Sequence, residues 1–447
     1  MKKKIIYLSF ILVLVISLIT LSSIYKSKDN KYNKEYNTIS KGMAIMIKEE
    51  GATDYVQSNS KDIPKGNYVL NRDKSYCKNN GKIGNYDSSL GKISFSFIGT
   101  DSCYLYFDYK KETIKLGNAE LVVNGGTPDF SKVATTNEGL FKADDDYTAT
   151  TGMKSYYFRG AVDNNWVKFG KDSTGKDIYW RIIRINGDGS IRMIYTGTTA
   201  PKESTKVVMT GEGTQIGKSA FNSNNNRSEY VGYMYTVGQQ YGTSTSSTIK
   251  IAIDNWYKKT TLWTNLEIKD LVADEIYCND RSAINSAWSS TGSDFDYASL
   301  TRMSLNGKPS PSLKCTNTSD KFTVDSSNGN GALTYPVGLI SVDEVAMAGG
   351  KLSTSNSSYY LYTGQDYWIN SPTTYSTIYK YAYEFLVYYS GIIGYNKDSN
   401  VNGLNGIRPV ISLSSDVILS GDGTYSNVYT VSWLYILHYL NNLIMLF

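Results

Sequence analysis

The chain has 447 residues, room for two or three domains with cores of their own, and it is rich in tyrosine (39, against 13 phenylalanines) and poor in proline (8), a composition of exposed β-rich domains rather than of disorder. Its formal charge of +5 traces to the lysines around an N-terminal apolar run (Lys2, Lys3, Lys4, Lys26, Lys28, Lys31 and Lys34), so the remainder is near neutral and lacks the basic patch that a nucleic-acid ligand needs. The single histidine, His438, lies in an apolar tail, which excludes a Ser-His-Asp triad, a Cys-His dyad or a His-ligated zinc site in the main domains.

Residues 1–24 carry three lysines and then IIYLSFILVLVISLITLSSI, an uncharged stretch of about 20 residues that is long enough to span a membrane. The best cleavage candidate, Thr20-Leu21-Ser22, is poor, so the segment reads as an uncleaved signal anchor. The N-terminal lysines favour a single-pass transmembrane helix with the C-terminal bulk extracellular. Residues 25–54 read as a Lys- and Asn-rich stalk, with a short helix at Ala44-Ile45-Met46-Ile47. Residues 55–111 read as a small all-β domain: Ile93, Phe95 and Phe97 alternate with Ser94 and Ser96, and Tyr104-Leu105-Tyr106-Phe107 follows. Cys77 and Cys103 bracket its middle and are expected to oxidise outside the membrane. Residues 112–150 read as a linker, and Asp144-Asp145-Asp146 lacks the alternating ligands of a calcium loop, so no metal or cofactor is expected.

The large domain, residues 151–431, is seeded by Tyr179 to Tyr195, YWRIIRINGDGSIRMIY, a hairpin turning at Asn186-Gly187-Asp188-Gly189. Period two puts Trp180, Ile182, Ile191, Met193 and Tyr195 on one face with Arg184 at its turn end. The other face, with Arg181, Arg192, Ile183, Ile185 and Ile194, is expected to be covered only in part. A helix is expected from about Ile251. Ser341 and Glu344 have the spacing of a capping box, which Gly349 closes as a helix end. Cys278 and Cys315 form the second expected pair. Four cysteines allow three connectivities, and sequential pairing is the simplest because each pair then stays within one domain. Tyr379, Tyr381 and Tyr383 share one side of an extended strand. Residues 432–447 form an apolar tail interrupted by Asn441 and Asn442.

Three short motifs, Trp180-Arg181-Ile182-Ile183-Arg184, Tyr367-Trp368-Ile369-Asn370-Ser371-Pro372 and Gly406-Ile407-Arg408-Pro409-Val410, resemble a group of uncharacterised surface proteins of Gram-positive bacteria. The C-terminal domain of that group is similar to the C-type-lectin-like fold shared with formylglycine-generating enzymes. The resemblance implies an α+β C-type-lectin-like domain behind a transmembrane helix and a small β domain, serving as a display platform for binding. The late copper-binding cysteine pair of the enzymes has no counterpart after Cys315, and Trp368-Ile369-Asn370 matches a lectin calcium motif only loosely. No catalytic residue and no calcium site is carried over.

The first functional expectation is therefore a membrane-anchored surface binding or adhesion module. It would take glycan or a surface protein through Tyr379, Tyr381, Tyr383 and Trp368, since aromatic rings give amphipathic contact area at low entropy cost. A carboxylate-based envelope hydrolase using Asp294 and Asp296 is one alternative. A passive structural envelope protein is the other. Binding ranks above structure, and both above catalysis.

Overall fold

The computed structural model describes residues 34–40, 42–96, 101–143, 153–303, 308–394 and 399–433. The expected membrane anchor at 1–24, the aspartates 144–146 and the tail from 434 lie outside the described residues. Among the described residues no helix is long and apolar enough to cross a membrane. The chain divides into two compact units, Met1–Glu112 and Thr113–Phe447.

The described residues of the smaller unit form eight strands: β1 (Lys34–Tyr36), β2 (Met43–Lys48), β3 (Val56–Gln57), β4 (Tyr68–Leu70), β5 (Tyr76–Cys77), β6 (Lys82–Asp87), β7 (Lys92–Ser96) and β8 (Cys103–Tyr109). They form a three-stranded sheet, β1-β7-β6, and a five-stranded sheet in which β8 lies between β2 on one side and β4 and β5 on the other. The stretch read as the end of a stalk is thus a strand, β2, paired in parallel with β8 from Met43↔Cys103 to Lys48↔Asp108. Strict alternation in CYLYFDY buries Cys103, Leu105 and Phe107, and with Ile45, Ile63, Leu70, Ile93 and Phe95 they make the core. Cys77 and Cys103, directly opposite each other in the β5–β8 pair, form a disulfide.

The larger unit corrects the expectation of an α+β C-type-lectin-like domain. Its described residues are mostly β, organised on a nine-stranded and a six-stranded sheet. Five α-helices accompany them, the longest being the ten residues Thr248–Tyr257. The physical reason lies in the motifs themselves. The first two carry β-branched and aromatic residues that build strands, Asp177–Ile185 and Tyr367–Ser376, and the third joins Asn405–Gly406 to Val410–Leu413; none specifies a helix. Residues 113–143, read as linker, contribute the strands Thr113–Leu116, Ala119–Val122 and Asn137–Ala143.

The seed hairpin is present as Asp177–Ile185 with Ile191–Gly197, paired Trp180↔Tyr195 and Ile182↔Met193. A bulge between Ile182 and Arg184 then shifts the register, so that Arg184 lies opposite Arg192 rather than on the Trp180 face. Both faces are covered. Trp256 of the helix Thr248–Tyr257 packs edge-on against Trp180 and Tyr195. On the other face Arg181, Ile183, Arg192 and Ile194 are all buried and Ile185 is half-buried, so the expected partial cover is found only at the turn end. The helix Val342–Met347 reaches that side, starting with the capping box of Ser341 and Glu344. Arg184 and Arg192 both pair with Glu344, at 3.1 and 2.6 Å. The second disulfide joins Cys278 to Cys315, so the pairing is sequential.

Candidate functional site

The six-stranded sheet holds the hairpin Tyr367–Ser376 with Tyr381–Val387, joined by the turn at residues 377–380, and Phe295–Asp296 pairs along its outer edge. Partners directly opposite one another in an antiparallel pair share a face. Phe295, Tyr375 and Ala382 therefore make one row, and all three are buried. The neighbouring positions Asp296, Thr374, Ser376 and Tyr381 point the other way, towards solvent. Tyr383, two residues further along the strand, is half-buried on the same side.

Tyr379, in the turn, completes a strip of rings. Tyr379 and Tyr381 are stacked, with centroids 6.5 Å apart and planes at 23°, and Tyr381 meets Tyr383 edge-on at 6.1 Å. Tyr379 is 66% exposed, Tyr381 38% and the adjoining Ile378 80%, so the strip offers apolar ring surface to solvent at the end of a hairpin. Burial, followed by the neighbouring Tyr381 and Tyr379, raises the Tyr383 phenol.

The tip is held by groups the alternation pattern does not announce. Asp294 accepts from the Thr377 N–H at 2.5 Å and from the Thr377 hydroxyl, and these two bonds hold its carboxyl below the usual carboxylate range. Lys380 takes the left-handed conformation, φ 53°, that lets the turn close. The Thr374 hydroxyl donates to the Phe295 carbonyl, tying the centre strand to the edge. The rings are thus displayed on a hairpin fixed at its tip and along one side.

Of the residues expected to bind, Tyr379, Tyr381 and Tyr383 come together. Trp368 does not join them: it is completely buried, packs edge-on against Phe221, and donates its indole N–H to the Ser219 carbonyl. It is a core residue. Asp294 and Asp296, the hydrolase candidates, do flank the buried Phe295 on one side, but Asp294 is engaged in holding the turn. Ile378, Thr374 and Ser376 were missed as parts of the surface. Alternation around Tyr375 would have found the last two. Among the described residues one group brings metal-ligating side chains together, Asp101 beside Cys77 and Cys103. The two sulfurs are bonded to each other, and Asp101 accepts from the N–H groups of Asn79, Gly81 and Ser102, so a single engaged carboxylate remains. No protein-family model, curated protein or solved structure matches the chain.

Proposed function

We propose that this chain is a membrane-anchored extracellular binding protein that takes a glycan on the strip Tyr379, Tyr381 and Tyr383. The observation that carries the reading is the exposed, mutually packed set of tyrosines on an immobilised hairpin tip, bordered on the same face by Ser376, Thr374 and Asp296. The C–H face of a sugar ring packs on an aromatic face, while hydroxyl groups beside it donate to and accept from the sugar hydroxyls and a carboxylate accepts from them. A fixed tip reduces the ordering cost of binding. Two disulfides favour an oxidising, extracellular setting, and the uncharged run within residues 1–24 supplies the anchor in this reading.

The test is an array of polysaccharides and surface proteins probed with the chain from residue 31 onward in its oxidised form. A saturable glycan signal is expected that falls roughly tenfold or more in the double variant Tyr379→Ala with Tyr381→Ala, the equivalent of about 1.4 kcal/mol. Unchanged binding in a correctly folded double variant rejects the strip as the site. Selective binding to proteins alone rejects the glycan reading.

A further inference from the structure

The smaller unit carries a second aromatic surface of different electrostatic character. Along β8 the residues facing away from the core are Tyr104, Tyr106 and Asp108. Tyr76 of β5 lies opposite Tyr104, and the two rings stack with centroids 5.1 Å apart and planes at 18°. The Lys78 ammonium sits 5.4 Å from the centre of the Tyr104 ring. Next along the strand, about 7 Å away for residues two apart, Tyr106 meets Tyr55 edge-on at 5.0 Å, and the Lys74 ammonium stands 4.6 Å over the Tyr55 ring. Two tyrosine pairs, each with a lysine over it, therefore lie side by side on one sheet face. Tyr76 is 49% exposed.

The charges on this face are unequal in how they are used. Asp108 accepts from the Tyr55 hydroxyl at 2.5 Å and from the Asn71 amide at 2.8 Å, and Lys48 lies beside it in the parallel β2. Lys74 and Lys78 rest on ring faces, and among the described residues neither ammonium forms an ion pair. A lysine held only by the weak attraction of a ring is free to swing to an anion, uncovering the ring as it goes.

We infer that this face binds a linear acidic polysaccharide, with the sugar rings on the Tyr76/Tyr104 and Tyr55/Tyr106 pairs and the carboxylates on Lys78 and Lys74. The charge complementarity of two unpaired ammonium groups selects the anion, and the flat ring surfaces beneath them select a sugar over a simple polyanion. The site is independent of the tyrosine strip of the larger unit, where no lysine is seated over a ring among the described residues.

The full chain, held in detergent micelles, is titrated with hyaluronan, with polyglutamate, with neutral dextran and with anionic phospholipid vesicles. Saturable binding to hyaluronan alone is expected, weakening steeply between about 0.05 and 0.5 M salt as screening grows. Lys74→Gln with Lys78→Gln should lower the affinity about tenfold or more, and Lys74→Arg with Lys78→Arg should retain it. Tyr379→Ala with Tyr381→Ala should leave it unchanged, which separates this site from the other. Equal binding to polyglutamate or to the vesicles would show that charge alone is recognised and would overturn the proposal. Equal binding to dextran, or undiminished affinity in the glutamine variant, would overturn it as well.

Discussion

Glu344 and Glu384 are both fully enclosed in the larger unit, yet their carboxyls are shifted in opposite directions. Burial works against the charge of Glu344, but Arg192 and Arg184 outweigh it and hold the carboxyl below its usual range. Burial dominates at Glu384 and pushes that carboxyl well above its ordinary value of 4.5. Removing the negative charge of Glu344 takes away the buried carboxylate that both guanidinium groups share. Glu344→Gln is expected to cost about 3 to 5 kcal/mol, read from the urea midpoint. Glu384 behaves the other way. It holds its proton more tightly in the folded chain than in the unfolded one, so stability falls as pH rises through and beyond about 4.5. Glu384→Gln should therefore match the parent in Tm near pH 4 and exceed it at pH 8. An equal Tm offset at both pH values would refute this account. Neither shift was legible in the sequence. Ser341 and Glu344 announced a capping box, and it forms, but the arginines that make Glu344 an ion-pair hub come from a hairpin some 150 residues earlier.

At the scale of elements, legibility followed whether a segment has one wet face. The strand Tyr381–Val387 begins exposed, buried, half-buried, and its alternation marks Tyr381 and Tyr383 as a surface pair. Tyr367–Ser376 is covered on both faces over its first seven residues, so nothing in its pattern separates the buried Trp368 from a surface aromatic. The 179–195 hairpin was readable as a hairpin because its turn residues and its β-branched runs agree. Its bulge was not, since the alternation continues through Ile182 to Arg184 without a break, and the carboxylate that Arg184 and Arg192 share comes from Glu344, far along the chain. The lectin-like expectation failed similarly, because short strand motifs carry no information on how many helices surround them. The 377–380 turn offers an element-level test. Asp294→Ala removes both bonds to Thr377 while leaving the rings intact. It should weaken glycan binding severalfold through loss of pre-organisation, with little change in Tm. A binding curve identical to the parent's would mean that the tip is fixed by other contacts.

In the whole molecule, each unit has its own disulfide and its own main core. The Cys77–Cys103 loop of 26 residues should be worth about 3 to 4 kcal/mol to the smaller unit in the chain-entropy picture. Cys77→Ser with Cys103→Ser should lower one calorimetric transition and leave the other in place; a common shift of both would show that the units unfold together. The units also share a feature of topology. In the smaller one, β2 pairs in parallel with β8, 60 residues later at Met43↔Cys103. In the larger one, Trp166–Lys171 pairs in parallel with Tyr429–Trp433, where Val167 meets Tyr429. An early strand in each unit thus waits for one of the last. As the chain emerges residue by residue, β2 and then Trp166–Lys171 present open backbone edges until their partners arrive, and those are the intervals in which the growing chain is most exposed to pairing with a neighbour. Losing Tyr429–Trp433 would shorten the protein only slightly, yet it would hold the large sheet permanently in that unfinished condition.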